Sequence, residues 1–263
     1  MENESSLFIE KYLQGMEIRY EGTGNGAFEF QDFCQYPLTY YEAPDMYIKH
    51  GSKNAVLIME HFRFDSSHTT KRKGSKYQSE LSQIEQSMQS LAPVDGTPIS
   101  KSVQVQTSKS YADYVRNVTE NFKKHYAKIS LYRQNLEKLG LIDSATDVKV
   151  MFCIEDVTIF GNVVEGDDQN PLFPVLLAYC PEFLDLLECS PKVDYVLSGS
   201  ESFYMNTGKH IFFIDRHEIQ EYKKKSIDYK AKRFYDSKPR TIGVKMLVDE
   251  SQLLQQGDDD ESS

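Results

Sequence analysis

Tryptophan is absent from this chain, and no apolar run approaches the roughly 18 to 20 residues that a membrane-spanning helix needs. No membrane association is expected. The start, MENESSLFIEKYL, is acidic and polar and lacks the charged-then-apolar layout of a secretory signal, so a cytoplasmic location is the expectation. Cysteine is scarce. Cys34, Cys153, Cys180 and Cys189 follow no CxxC or Cys/His ligand spacing, and three of them sit in apolar contexts and read as small buried side chains, which excludes a zinc finger or a disulfide framework. Basic residues are outnumbered, with 30 Lys and Arg against 40 Asp and Glu, a net charge of −10. That excludes a protein that coats nucleic acid through bulk positive charge. It does not exclude a nuclease, whose substrate meets a local patch and a bound cation. Walker loops, HExxH, GxSxG elbows and internal repeats are also missing, which removes ATPases, zincins and serine hydrolases as leading ideas.

What the chain does have is bulk. Seventeen Tyr and 15 Phe, with 40% hydrophobic residues overall, describe a folded globular protein. Helical and strand patterns interleave, which predicts an α/β fold: a mixed sheet flanked by helices, in one domain over about 1–250, with a disordered acidic tail over 251–263. The first helix is expected from about Ser6 to Leu13 and a first strand over Met16–Tyr20. Gly22, Gly24 and Gly26 space like a dinucleotide loop, but the following AFEFQDF alternates like a strand, so these glycines read as a flexible turn before a strand over 27–33. Helices are expected over 76–91 and, most strongly, over 111–139. In the second, Tyr111, Val115, Val118, Phe122, Tyr126, Ile129 and Leu136 recur at helical steps and Gly140 is the stop. That stripe reads as core packing or as a partner or homodimer surface. Further strands are expected near Val103 and over 148–157, 193–198, 210–215 and 241–248, with a helix over 173–187 that Pro181 breaks or restarts.

The chemistry concentrates between Tyr41 and Asp65, YEAPDMYIKHGSKNAVLIMEHFRFD. Met46–His50 and Ala55–Phe64 read as two strands around a Gly51–Asn54 turn, and AVLIM is the continuous apolar run of a strand covered on both faces. Asp45 starts the first strand and Glu60 ends the apolar run of the second. A carboxylate at the end of such a run is costly unless it is paired, hydrogen-bonded or bound to a cation. Two acids on adjacent strands can hold Mg²⁺ or Mn²⁺ and leave room for water and a phosphate oxygen.

A helix carrying Glu, then strands, then Pro-Asp, then Glu on an apolar strand, resembles the PD-(D/E)XK nuclease superfamily over about residues 5–91. The resemblance implies an α-β-β-β-α-β, restriction-endonuclease-like core, here with a long helical insertion at about 108–140, that hydrolyses DNA or RNA phosphodiesters with a carboxylate-bound Mg²⁺ or Mn²⁺. Pro44-Asp45 matches the first acid, Glu60 the second, and Glu10 the helical glutamate of many members. The motif lysine belongs two residues after Glu60, where this chain has Phe62. Lys73 or Lys76 in the following basic stretch (Lys71 to Lys76) is the relocated candidate. His61 faces away from Glu60 on a regular strand and is a candidate base or a structural histidine. Glu155 and Asp156 close a strand and read as a cap or as part of a site. IMEHFRFDSS followed by KRKGSKYQSE also resembles small bacterial or phage-type proteins with an EHF-x-FD signature, which implies a phage or mobile-element defence setting. The alternative to an enzyme is a silent nuclease-like fold that binds a protein or nucleic acid.

Overall fold

The computed structural model describes residues 18–66, 99–105, 110–158, 163–165, 172–201, 209–232 and 240–246. The chain divides into two compact units, one of residues 1–66 and 109–235 and one of residues 67–108 and 236–263. Among the described residues no helix is long and apolar enough to cross a membrane.

In the first unit the order is helix α1 (Asn25–Phe33), strands β1 (Leu38–Tyr40), β2 (Met46–Lys49) and β3 (Ala55–Phe64), helices α2 (Tyr111–Tyr126) and α3 (Ile129–Lys138), then strand β5 (Asp147–Asp156). A short antiparallel pair follows, β6 (Val163–Glu165) with β7 (Leu172–Pro174), then α4 (Pro181–Glu188), β8 (Tyr195–Glu201), β9 (Lys209–Asp215) and α5 (Ile219–Lys224). Six strands make one mixed sheet in the order β1-β2-β3-β5-β8-β9. β1, β2 and β3 form an antiparallel meander, β3, β5 and β8 run parallel, and β9 returns antiparallel to β8. Helices cover both faces, so the fold is α/β. In the second unit β4 (Ile99–Val105) pairs antiparallel with β10 (Arg240–Met246).

Alternation along β3 builds both layers. Val56, Ile58, Phe62 and Phe64 pack under α2, α3 and α4 with Phe122, Leu136, Phe152 and Phe183. Leu57 and Met59 pack on the other face with Phe30 and Phe33 of α1 and with Met151 and Phe213. The apolar stripe of residues 111–139 therefore lies in the core of the chain itself. It belongs to two helices, not one: α2 ends at Tyr126 and α3 starts at Ile129 after Ala127 and Lys128. Ser110 caps α2 by accepting the Asp113 N–H, and Gly140, at φ 66°, follows α3 in the left-handed region that glycine adopts at low cost.

The segment 27–33 is helical where a strand was expected. Gly26, Ala27, Phe30 and Phe33 are the buried positions, a three-to-four step, while Phe28, half of the apparent alternation, is 61% exposed. Gly24 enters α1 at φ 76°, and Phe213 stacks on Phe30 from the sheet. The glycine stretch thus leads into a helix after all. Its first amides are taken by Glu218, whose carboxylate accepts the Thr23 N–H at 3.1 Å and the Gly24 N–H at 3.4 Å. Of the strand expected over 16–20, Arg19 exchanges backbone bonds with Ile211 and Phe213 at the β9 edge. Pro181 opens α4 at its first turn, where its missing N–H costs nothing, and residues 172–174 before it are strand. The helix expected over Ser6–Leu13 and the one over 76–91 lie outside the described residues.

Candidate functional site

Asp45 and Glu60 meet because of the β2–β3 register. Met46 pairs with Met59, so one further step sets Asp45 opposite Glu60. The turn that fixes this register is tied by His50: its Nδ1 accepts the N–H groups of Ser52 (3.2 Å) and Lys53 (3.0 Å), which leaves the proton on Nε2 to donate to Asp32 at 3.0 Å. β2 begins at Met46, so residues 60–64 of β3 run past it. The Asp45 Oδ2 stands in for the missing strand partner there and accepts the His61 N–H at 2.8 Å. The loop before Asp45 is held by its own Tyr41 N–H to Asp45 carbonyl bond and by Asn135 of α3, which donates to the Ala43 carbonyl at 2.8 Å.

Glu60 is 3% exposed and points under α2 and α3. Its Oε1 accepts His125 Nδ1–H at 2.6 Å and the Tyr132 hydroxyl at 2.5 Å. Burial and the hydrogen bond to Glu60 push the Tyr132 phenol far up, which keeps it a neutral donor. Phe62, at the position of the motif lysine, stacks on the His125 ring with centroids 4.6 Å apart, so an aromatic pair fills the interior beside the carboxylate. Asp45 is raised in pKa by burial and then by the charge of Glu60, partly offset by the His61 N–H and by the two imidazoles. Only a neighbouring negative charge has that second effect, so the two carboxylates share one electrostatic site.

His61 and Arg63 project to the other face of β3, as alternation requires. There Arg63 Nε donates to Glu155 Oε2 at 2.8 Å, and His61 Nε2 lies 3.4 Å from the same oxygen. Burial raises the Glu155 carboxyl, yet the His61 and Arg63 hydrogen bonds and charges bring it down to about 2. Cys153, beside His61 in register on β5, is pushed well up by burial and by the nearby acids, so it is a neutral thiol and no nucleophile. Asp156, the other acid at the end of β5, turns its Oδ1 back to accept the Thr158 N–H at 3.0 Å, which is a strand-end cap.

Among the expected site residues, the structure therefore brings together Asp45 and Glu60, while His61 meets them only through its backbone N–H, its imidazole lying on the opposite face of β3 beside Glu155, where it cannot act as their base. Glu10, Lys73 and Lys76 lie outside the described residues. His125 and Tyr132, which complete the site, carried no local signal beyond being seven residues apart, two helical turns on one side. Comparison with protein-family models, curated proteins and solved structures finds no match.

The donor set suits a hard divalent cation. Asp45 Oδ1 and Glu60 Oε2 make no hydrogen bond to any described residue. No group of three or more His, Cys, Asp and Glu is arranged for a metal among the described residues, so an ion at this pair would complete its shell with water and substrate oxygens. Mg²⁺ commonly binds in that way, through one or two carboxylates.

Proposed function

We propose that this chain is a metal-dependent nuclease of the PD-(D/E)XK type that hydrolyses nucleic-acid phosphodiesters. The carrying observation is the Asp45–Glu60 pair, 15 residues apart in sequence and set side by side, Asp45 just before β2 and Glu60 on β3, so that the charge of one raises the proton affinity of the other. The order helix, three meander strands, helices, parallel strand over residues 25–156 supports the same reading. Asp45 and Glu60 would hold Mg²⁺ or Mn²⁺, which when bound lowers the pKa of a coordinated water and offsets charge on the scissile phosphate. The residues of the chain supply orientation. His125 and Tyr132 fix Glu60 through Oε1, and the His61 N–H fixes Asp45 through Oδ2, so the second oxygen of each carboxylate is the one that would take the ion.

The second reading is a silent nuclease-like binding module. Phe62 in place of the lysine and the closure of Glu60 by His125 and Tyr132 favour it. Titration calorimetry with MnCl₂ on wild type and on the Asp45→Asn/Glu60→Gln double variant separates the two. Micromolar binding lost in the variant, together with Mn²⁺-dependent cleavage of DNA or RNA, is the expected result. Absence of Mn²⁺ binding in wild type sinks the nuclease reading and leaves the binding module.

A further inference from the structure

The apolar stripe of α2 is spent on the core, which leaves the outer face of the helix to meet something else. That face borders an open groove of about 760 Å³, floored by Ala112, Val115 and the methyl-bearing Thr119 about one turn apart. On the far wall Glu182 of α4 accepts the Tyr111 hydroxyl and pairs with Lys230 at 2.6 Å, so its charges are already met. The α2 wall holds two acids and two bases. Asp113 and Arg116 pair with each other, each side chain still about a third exposed. Glu120 and Lys123 are exposed and make no ion pair with a described residue. A wall without net charge calls for neither an anion nor a cation, and its fit is to a surface on which both signs alternate.

This alternation is complementary to itself. Arg116 and Glu120 stand two residues either side of Val118, and Asp113 and Lys123 stand five either side. A two-fold axis level with Val118 and perpendicular to α2 lays a second α2 antiparallel to the first. It brings Arg116 to the partner's Glu120 and Asp113 to the partner's Lys123, each twice. The two charges with no ion pair inside the chain then extend the Asp113–Arg116 bridge at both of its ends. Between them Ala112, Val115 and Thr119 are small enough for two helices to approach closely.

We propose that the outer face of α2 is a self-association surface on which a second copy of this chain packs antiparallel. From Ala112 to Lys123 the contact runs about 17 Å, short of a standard interface, so the dimer is weak, with a Kd on the order of 100 µM. This rests on none of the residues of the Asp45–Glu60 pair.

Sedimentation velocity on the full-length protein, from about 10 µM to about 1 mM, reads the association directly. Wild type is expected to dimerise reversibly, and added NaCl is expected to weaken the dimer. Exchanging two exposed charges, Glu120→Lys together with Lys123→Glu, keeps the net charge but sets like charges against each other at every one of these contacts. It is expected to weaken association about tenfold or more. Arg116→Glu and Glu120→Arg are each expected to associate weakly alone and to recover wild-type association when mixed, because acids then face bases across the heterodimer. Circular dichroism confirms that each variant is folded. Should Arg116→Glu fail to fold, the Glu120 and Lys123 exchange carries the test alone. A wild type that stays monomeric across the range overturns the proposal and leaves this face to another partner. A dimer indifferent to the exchange puts the interface elsewhere and overturns it too, as does a mixture of the folded single variants no tighter than its components.

Discussion

Two buried carboxylate clusters lie on opposite faces of β3, and their proton affinities move in opposite directions. Glu155 faces an imidazole and a guanidinium and is held at about 2 in spite of burial. Asp45 faces a second carboxylate and is raised. Burial acts the same way on both, so the difference comes from the partners. One cluster sets a guanidinium and an imidazole against a single carboxylate, whereas the other sets two carboxylates against one imidazole and neutral donors. The first is a structural ion pair. The second is where an added cation would relieve like-charge repulsion, which is why the metal reading attaches to Asp45 and Glu60 and not to Glu155, whose carboxylate already has the Arg63 guanidinium as its partner.

The largest effect is expected from Glu60→Ala. It strips the His125 Nδ1–H and the Tyr132 hydroxyl of their common acceptor and opens a void under α2 and α3. A loss of about 3 kcal/mol is expected, read as a shift in the urea midpoint at constant slope. Glu60→Gln keeps the shape and an acceptor and should cost less than half as much. Equal stability of Glu60→Ala and wild type would mean the carboxylate is solvated, and the contrast between the two clusters would collapse.

Glu155→Gln tests the other face. It removes the counter-charge of Arg63 and the carboxylate that His61 faces, and is expected to cost about 2 kcal/mol at neutral pH. The folded carboxyl lies at about 2, below its ordinary 4.5. Its stabilisation is therefore present above about pH 4.5 and lost as pH falls toward 2. The gap between wild type and variant should be full at pH 7 and close across that window in pH-dependent denaturation. A gap constant down to pH 2 would show that charge is not what Glu155 contributes.

How much of this was legible depended on sequence distance. AVLIM declared a strand covered on both faces, and the Gly51–Asn54 turn placed Asp45 near Glu60, because both signals sit within about two dozen residues. The partners of Glu60 come from 65 and 72 residues away, and the Arg63–Glu155 bond spans 92. Those contacts required the parallel β3–β5 register, which pairs Arg63 with Glu155 and which no local pattern encodes. The stripe of residues 111–139 was legible as helix, but its break at Ala127–Lys128 was not, since neither residue is a helix breaker. Segment 27–33 misled because Phe28 and Phe30 alternate by chance. The sheet residues that bury Phe30 and leave Phe28 in solvent lie far along the chain.

The smallest effect has the most telling sign. The pKa of Asp45 is raised in the fold, so its contribution is full below the ordinary 3.8 and lost as pH rises through the folded value; at neutral pH the ionised group opposes folding. Asp45→Asn keeps an oxygen for the His61 N–H and deletes the charge that faces Glu60. In EDTA it should therefore stabilise the protein by about 1 kcal/mol, where Glu155→Gln destabilises. Added Mn²⁺ should then raise the melting temperature of wild type and leave the variant where it was, since only a folded chain with both carboxylates gains from the ion. A destabilised Asp45→Asn would make Asp45 a second structural acid like Glu155. A stabilised variant indifferent to Mn²⁺, beside a wild type that responds, makes the strain between the two carboxylates the feature the ion relieves.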